Sequence, residues 1–441
     1  MKPGRLLHLR IRIQPAKATF LSIFLYNIFL LVYRLGLSAA SVFNDKARKW
    51  VVGREGIFDR LQKSIATTDK VIWMHCASLG EFEQGRPVLE KLKAGYPGYK
   101  ALLTFFSPSG YEVQKSYTGA DWVFYLPLDG ASNARRFLEI THPSLVIFVK
   151  YEFWYYYLKK IKYRKIPLIL ISAIFRKEMS FFKWYGGIQR KILSRFDHLF
   201  VQDEVSKKLL DEIGLYNISI VSGDTRFDRV IEIAENFSPI PEIEKFVQDN
   251  PVIVAGSTWP EDETELQTAF KSLANDTTRL IIAPHEIHEG HIKDVQTIFP
   301  DSVLFSDLKN DLKSGDNKKI MIIDNIGILS RLYKYASISY VGGGLKSSGV
   351  HNVLEAAVYY KPVVIGPYHE KYQEAIDLVR SGGGIVIKNA GELSAVFAQL
   401  LKNENGICEK SGIAAGQFVK GNAGATQKIY SLIQEKRLLT N

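Results

Sequence analysis

The chain has only two cysteines, Cys76 and Cys408, which lie far apart in the sequence with no partner motif around either one. This scarcity excludes a disulfide framework and a cysteine zinc site, and it fits a reducing compartment. Internal repeats of fixed period are also absent from the sequence. Intrinsic disorder is excluded because 46% of the residues are hydrophobic and only 23% are charged.

Two domains are expected, because 441 residues are too many for one compact core. From residue 70 onward, short apolar runs alternate with helical stretches, a pattern typical of a mostly parallel sheet with helices on both faces. The fold class is therefore α/β, with two doubly wound, Rossmann-like domains facing a cleft that both of them line. The predicted strands are 71–77, 101–106, 121–127, 144–150, 167–172, 198–202, 218–223, 251–257, 279–284, 303–306, 319–324, 338–343, 362–366 and 384–387.

The predicted domain boundaries follow these changes of pattern. Residues 1–43 form a basic N-terminus with an apolar helix, and residues 44–235 form the first Rossmann-like domain. Residues 236–250 contain two prolines and are predicted to be a linker with a short helix. Residues 251–441 form the second domain, which includes a C-terminal helix.

The longest uncharged and mostly apolar stretch runs from Ala18 to Tyr33. As a helix it would span about 24 Å, slightly less than a bilayer core. Three interpretations compete: a cleaved signal peptide, a single span with the bulk of the chain outside, and a retained anchor with the rest in the cytoplasm. We favour the retained anchor, because unpaired thiols and a nucleotide site both argue against export. The basic residues before the stretch are Lys2, Arg5, Arg10, Arg12 and Lys17.

Most of the formal net charge of +11 is concentrated between Lys150 and Arg195, where twelve Lys or Arg face two glutamates. The same window contains twelve aromatic residues. Basic residues mixed with amphipathic rings suit the headgroups of an anionic membrane, although single-stranded nucleic acid and a plain solvated surface are competing interpretations. With the apolar helix, the window predicts contact with an anionic inner-membrane surface at its cytoplasmic face, and no nucleic-acid partner.

A glycine-rich loop, GGGLKSSG, begins at Gly342 directly after an apolar run that is predicted to be a buried strand. Consecutive glycines let a backbone approach a ligand closely, and a helix predicted to open near residues 350–352 would add unsatisfied N–H donors. The loop therefore predicts a phosphate site, and a tight strand-to-helix turn without a ligand is the structural alternative. Its spacing matches neither the dinucleotide nor the P-loop signature. The candidate contacts are Gly342, Gly343, Gly344, Asn352 as a cap or ligand contact, and Glu355 as a ribose acceptor.

A carboxylate follows the first predicted strand, in the segment Ser78-Leu79-Gly80-Glu81. Glu81 stands at the end of a strand and the start of a helix, where a favourable helix-dipole contact is the structural interpretation. Gly80 before it permits close approach by a substrate. A carboxylate in this place is a candidate general base for a sugar hydroxyl.

Polar residues also follow two strands of the second domain. Ser257 and Thr258 stand before an acidic helix start, either as simple caps or as contacts for the same phosphate as the glycines. His285 follows the next strand at the same sheet edge. The segment HEIHEGH around it is not H-E-x-x-H, because its histidines recur every third residue, so no metal site is predicted.

Five motifs in this order behind a basic, apolar N-terminus resemble the 3-deoxy-D-manno-octulosonate (Kdo) transferases. They are HCASLGE at 75–81, GDTRFD at 223–228, GSTW at 256–259, the glycine loop with HNVLEAA at 351–357, and GPYHEKYQ at 366–373. The resemblance implies a membrane-associated GT-B glycosyltransferase that moves Kdo from CMP-Kdo onto a lipid A precursor in lipopolysaccharide biosynthesis, with inversion. It implies no cofactor and no metal, because helix N-termini would stabilise the departing phosphate.

The resemblance also implies roles for individual residues. The catalytic base of the family falls on Glu81, and Glu152 keeps the second glutamate of the family's acidic motif, whose first glutamate is Lys150 here. Two residues depart from the family pattern. His285 stands where the family has a phosphate-binding arginine, and Arg176 is displaced from its usual segment. The residues that correspond to the family's CMP site are Ser257, Gly343, Asn352 and Glu355.

Two other functions compete with this one. A different GT-B enzyme that uses a UDP-sugar, as a transferase or an epimerase, would have the same fold. A membrane-anchored binding protein without catalysis is the alternative from another class, and the presence of both Glu81 and Glu355 argues against it.

Overall fold

The structure is a computed structural model that describes residues 17–273 and 277–440. It divides into two compact units. The first takes in the described residues up to Thr225 together with those from Gly424 onward, and the second runs from Arg226 to Ala423. Each unit contains one seven-stranded sheet in which every strand pair is parallel. The predicted α/β class with two doubly wound sheets is confirmed.

The sheet of the first unit has the order β3-β2-β1-β4-β5-β6-β7. Its strands are β1 (Val71–Cys76), β2 (Lys100–Phe105), β3 (Trp122–Tyr125), β4 (Pro143–Val149), β5 (Leu168–Ala173), β6 (His198–Val201) and β7 (Ser219–Val221). The order reverses between β1 and β4, and in such sheets ligands bind at the carboxyl ends of the strands at this reversal.

Helices cover both faces of this sheet. They are α1 (Lys17–Ala40), α2 (Asp45–Val52), α3 (Ile57–Ser64), α4 (Leu79–Gly95), α5 (Pro108–Gln114), α6 (Ala131–Thr141), α7 (Tyr155–Tyr163), α8 (Gly187–Leu193) and α9 (Glu204–Glu212), with a 3₁₀ turn at Ser180–Phe182. Every residue of β1 is buried, as expected for a central parallel strand covered on both faces.

The second unit has the strand order β10-β11-β9-β8-β12-β13-β14, with its reversal between β8 and β12. Its strands are β8 (Val252–Thr258), β9 (Arg279–Pro284), β10 (Ser302–Leu304), β11 (Ile320–Ile322), β12 (Ile338–Val341), β13 (Val363–Ile365) and β14 (Gly384–Val386). Each of the fourteen runs predicted as strands contains one observed strand or overlaps it.

The remaining helices begin at the boundary between the units and continue to the C-terminus. They are α10 (Thr225–Glu235), α11 (Pro241–Val247), α12 (Pro260–Lys271), α13 (Glu289–Ile298), α14 (Phe305–Asn310), α15 (Leu329–Leu332), α16 (Leu354–Ala357), α17 (Gln373–Arg380), α18 (Ala390–Lys402), α19 (Ile407–Gly421) and α20 (Ala425–Glu435). Short 3₁₀ turns lie at Leu312–Gly315, Tyr333–Tyr335 and Glu404–Gly406.

The predicted domain limits differ from the observed units in two places. Residues 236–250 contain α11, the short helix expected there, but Ile243 and Phe246 of this helix are buried in the core of the second unit, so the segment is part of that unit. The C-terminal helix α20 belongs to the first unit, since Ile429 and Ile433 are buried in its core. The burial of apolar side chains, which sequence order does not reveal, decides both assignments.

Helix α1 packs against the first unit along one side. Tyr26 donates a hydrogen bond to Asp129 over 2.7 Å, and Leu30 is buried. Between Ser22 and Ala40 the helix is long and apolar enough to cross a membrane, by length and composition. The predicted basic cluster at residues 2–12 lies outside the described residues.

The basic aromatic window is less exposed than predicted. Of its twelve rings, four are exposed, and the others are buried or half-buried. Phe175 and Phe181, for example, lie in the core of the first unit. The window is therefore largely a packing element, and its exposed rings are Tyr151, Tyr163, Trp184 and Tyr185.

Candidate active site

Two carboxylates stand at the strand reversal of the first unit. Glu81 lies in the first turn of α4, which directly follows β1, and Glu152 follows β4. Because β1 and β4 are neighbours, their carboxyl ends bring the two residues to the same edge of the sheet. Both residues were predicted from the sequence to belong to the site, and the pairing of β1 with β4 places them at one sheet edge.

Glu81 is half-buried, and its carboxylate accepts a hydrogen bond from the backbone N–H of Ala77. Burial and, second to it, the neighbouring charge of Glu152 together raise the pKa of Glu81 to about 7. A carboxylate with a pKa near the working pH is both present as a base and strong enough to take a proton from a hydroxyl.

Glu152 is buried and has two N–H partners. Its Oε2 atom lies 2.9 Å from Nε2 of His75 and 2.5 Å from Nε1 of Trp154. On the other side of the imidazole, Nδ1 of His75 lies 2.9 Å from the hydroxyl of Thr104. The second carboxylate is therefore part of a buried polar network.

The remaining predicted residues of this unit lie near the same edge. Gly80 is exposed in the first turn of α4, and a Cβ atom added there would have open space around it. Arg176 is exposed shortly after β5, the strand next to β4. Both positions are open to a ligand, and their roles stay predictions.

In the second unit, Ser257 and Thr258 end β8, one of the two strands at the reversal. Ser257 is half-buried and has a left-handed backbone with φ of 54°. Thr258 is fully buried, and its hydroxyl donates to Glu263 over 3.0 Å. A phosphate contact by Thr258 would require that bond to be exchanged, so Ser257 is the more accessible of the two.

The N–H groups of the first two loop glycines have partners within the unit. Gly342 donates to the carbonyl of Gly256 over 2.9 Å, and Gly343 donates to Asp262 over 2.8 Å. A Cβ on Gly344 would meet the backbone of Gly366 at 2.7 Å. The glycines therefore allow three backbone segments to pack closely, which is the structural alternative stated above. The N–H groups of Gly342 and Gly343 are therefore not available to a phosphate, unlike the prediction from the sequence.

The helix expected after the loop is also shorter than predicted. It is α16, which has only four residues and begins at Leu354, not near residue 350. Asn352 accepts a hydrogen bond from the N–H of Leu354 and donates to Glu355 over 2.9 Å. So short a helix offers little dipole to an anion. Asn352 thus contacts the first turn of the helix and orients the carboxylate of Glu355.

Three aromatic rings form a stack at the edge of the second sheet. His285 and His351 stack with ring centroids 4.3 Å apart, and Trp259 stacks on His285 at 4.8 Å. Nε1 of Trp259 donates to Nε2 of His351 over 2.8 Å. Burial lowers the pKa of His351 to about 4, so this imidazole is neutral at pH 7.

A lysine of the glycine loop stands over this stack. Nζ of Lys346 lies 4.9 Å from the centroid of the Trp259 ring and 2.8 Å from a carboxylate oxygen of Glu261. Both partners of this ion pair are partly exposed, so the pair contributes little stability and is easily exchanged. Lys346 is thus a cation at the strand reversal that can turn to a ligand anion.

Within residues 17–273 and 277–440, no group of three or more His, Cys, Asp or Glu side chains could hold a metal ion. The histidines of HEIHEGH have separate partners. His288 caps α13 by accepting from the N–H of His291, and the imidazole of His291 lies 3.1 Å from Glu263.

Sequence reasoning missed His75, Trp154, Trp259, His351 and Lys346. A signal was present, since each lies in or directly beside a motif from which other residues were chosen. Their partners come from distant parts of the chain, however, and only the folded structure identifies them.

Comparison with known proteins bears on these two sites. A family model described as 3-Deoxy-D-manno-octulosonic-acid transferase (kdotransferase) matches residues 54–229, which contain Glu81 and Glu152. The chain is 29% identical to the 3-deoxy-D-manno-octulosonic acid transferase of Aquifex aeolicus (strain VF5), with 81% of this chain and 94% of the relative covered. The chain is a relative of the Kdo transferases. The resemblance drawn from the motifs is confirmed.

A second Kdo transferase relative, from Haemophilus influenzae, is 25% identical and covers 82% of this chain and 86% of its own length. Among solved structures, a UDP-GlcNAc 2-epimerase from Neisseria meningitidis bound to UDP-GlcNAc is similar with a TM-score of 0.59. The two sequences are 18% identical, and the match covers 83% of this chain and 100% of the epimerase. At this identity the epimerase shows the fold alone.

Proposed function

We propose that the protein is an inverting glycosyltransferase that transfers Kdo from CMP-Kdo to a lipid A precursor of the lipid IVA type. The Kdo transferase relatives confirm the glycosyltransferase class and support Kdo transfer in lipopolysaccharide synthesis. The observation that carries the proposal is Glu81, a carboxylate with a pKa of about 7 at the strand reversal of the first unit.

In the proposed reaction, Glu81 takes the proton of a primary hydroxyl on the acceptor. The hydroxyl oxygen forms a bond to the anomeric carbon of Kdo from the side opposite the leaving group. The bond from that carbon to the phosphate oxygen of CMP breaks, and its electron pair remains on the phosphate. Attack from the opposite side inverts the configuration at the anomeric carbon, and the proton ends on Glu81.

The CMP leaving group needs positive charge or N–H donors near its phosphate. Since Gly342 and Gly343 donate within the unit, we assign the electrostatic contribution to the Lys346 ammonium, with Ser257 and His285 as hydrogen-bond partners. We propose that Glu355, which accepts from Asn352, also accepts from the ribose hydroxyls. We propose that no metal or other cofactor takes part. In this proposal the ammonium of Lys346 stabilises the phosphate, a role that the sequence had assigned to helix N-termini.

A transfer assay with two candidate donors tests this function. We expect mass spectrometry to show lipid A precursor gaining the mass of Kdo after incubation with the protein and CMP-Kdo, and the same spectra count the sugars added. Calorimetry is expected to show CMP binding at least about tenfold more tightly than UDP, a difference of 1.4 kcal/mol. Preferential binding of UDP, with no Kdo added, would favour the UDP-sugar alternative. Binding of CMP without CMP-Kdo turnover would favour a non-catalytic binding protein.

We further propose that α1 anchors the protein at the cytoplasmic face of the inner membrane. The side of the helix away from Tyr26 and Leu30 is apolar and exposed, with seven large side chains at least 42% exposed. Such a face lowers its free energy by entering lipid. The exposed rings of Trp184 and Tyr185 suit the headgroup region, and α8, which follows them, contacts α1. The seven side chains are Phe24, Leu25, Ile28, Phe29, Leu31, Val32 and Leu35.

Binding to phosphatidylglycerol-containing vesicles tests this anchor. The double variant Phe29→Ser/Val32→Ser should lower the vesicle partition coefficient of the full chain at least about tenfold, because it removes two apolar side chains that would enter the lipid. The matched control is Val205→Ser/Ile326→Ser, which removes two exposed apolar side chains far from α1 in sequence and should leave partitioning unchanged. Equal partitioning of the two double variants would contradict the anchor.

A further inference from the structure

The reaction proposed above gives no role to the buried histidine of β1. His75 is fully buried, and both of its ring nitrogens have partners at hydrogen-bond distance. Nε2 points to the carboxylate of Glu152, which follows β4, and Nδ1 points to Thr104 in β2. One imidazole of β1 thus contacts residues of β2 and of the segment after β4, the two strands that flank β1, at the edge where Glu81 stands.

Residues of two strands fix the orientation of the imidazole. Nδ1 of His75 lies 2.9 Å from the hydroxyl and 3.1 Å from the carbonyl oxygen of Thr104 in β2. Nε1 of Trp73 donates to the same hydroxyl over 2.8 Å. These contacts hold the ring so that Nε2 faces Glu152.

Nε2 of His75 lies 2.9 Å from Oε2 of Glu152. Trp154 donates to the same oxygen from its Nε1, which also lies 3.3 Å from Nε2 of His75. Two ring nitrogens thus contact one carboxylate oxygen, and they fix the position of Glu152 at the sheet edge where Glu81 stands.

The charge of Glu152 acts on Glu81. After burial, Glu152 is the largest influence that raises the pKa of the Glu81 carboxyl, while Lys150 and the N–H of Ala77 lower it. A base whose pKa is raised in this way binds the proton of the acceptor hydroxyl more strongly. Other ionisable groups that interact with these carboxylates are Tyr33, Cys76 and Tyr151. Glu83 acts on Cys76, and Arg176 and Asp203 act on Tyr151.

We propose that His75 is a positioning residue for the base: through its Nε2 it holds Glu152 in place beside Glu81. This inference rests on the proposed function, since Glu81 is the general base only in that reaction. His75 itself touches neither substrate nor the reacting atoms.

The pH dependence of kcat/KM for Kdo transfer tests the proposal. In the wild type, kcat/KM should fall as the pH drops through about 7, because Glu81 becomes protonated. His75→Asn keeps an amide near Thr104 but is too short to reach Glu152. Glu152 is then no longer held beside Glu81, its charge raises the pKa of Glu81 less, and the acid limb should move down by about one pH unit. Glu152→Gln should move the limb in the same direction.

Two further variants separate positioning from folding. His75→Gln can place an N–H near Glu152 and should restore the acid limb, whereas His75→Phe fills the space without a donor and should behave like His75→Asn. The matched control His198→Phe replaces a histidine of β6 in the same sheet and should leave the limb where it is.

An unmoved limb in His75→Asn and His75→Phe would overturn the proposal, and so would a limb moved to higher pH. A wild-type protein without any Kdo transfer would instead overturn the proposed function together with this inference.

Discussion

Replacing Glu81 with Gln is expected to lower kcat for Kdo transfer by about a thousandfold, within the range that general-base catalysis contributes. The glutamine amide has the same shape, and its carbonyl oxygen can still accept from the N–H of Ala77, so α4 should begin as before. It cannot take a proton from the acceptor hydroxyl. Initial rates with CMP-Kdo and lipid A precursor, measured beside the affinity for CMP by calorimetry, check this prediction.

The affinity for CMP should change less than about twofold in Glu81→Gln, because the donor site is assigned to residues of the second unit. Glu83→Gln is the matched control, since it makes the same change two residues further along α4 and should keep normal turnover. Turnover of Glu81→Gln at the wild-type rate would contradict the assignment of the base. A loss of CMP binding to the same extent as turnover would instead indicate a damaged fold.

Replacing Gly344 with Ala is expected to destabilise the second unit by about 3 kcal/mol, the upper end of what overpacking usually costs. The added Cβ would lie 2.7 Å from the backbone nitrogen of Gly366 and 2.9 Å from its Cα. Gly344 follows β12 and Gly366 follows β13, two paired strands, so neither backbone moves without disturbing the sheet. Hydrogen exchange measured by mass spectrometry on peptides from β12 and β13 should show faster exchange.

Gly421→Ala is the matched control for this substitution. Gly421 is also in the second unit, at the end of α19, and a Cβ there would meet nothing within 4 Å. Alanine should leave exchange in β12 and β13 at the wild-type rate. Equal protection in the two variants would mean that the glycine loop has room for a side chain, and the close-packing interpretation of the loop would then be wrong.

The strands and the candidate base were readable from the sequence for local reasons. Each strand is a short apolar run bounded by polar residues or glycine, and parallel strands buried on both faces need such runs. Glu81 was found because a carboxylate directly after the first strand of a doubly wound sheet stands at its ligand-binding edge. The order of the strands in the folded sheet brings Glu152 to the same edge.

The glycine loop shows where local patterns were not enough. Its sequence indicated N–H groups available to a phosphate, but Asp262, far away in sequence, accepts from Gly343. No sequence pattern states which acceptor will occupy a backbone donor, because this depends on which segments meet in the folded unit. For the same reason, the sequence predicted that a helix N-terminus would stabilise the phosphate, whereas the structure has a four-residue helix there and the cation Lys346 nearby.

By itself, the sequence determined the α/β class, the fourteen strands, the apolar N-terminal helix and the kinship with Kdo transferases, because periodicity, composition and motifs are local properties of the chain. Only the tertiary structure decided that α20 completes the first unit, that His75 holds Glu152, and that the pKa of Glu81 rises to about 7. Burial, hydrogen-bond partners and the charges of neighbours arise from residues that are distant in sequence, so they exist only once the chain has folded.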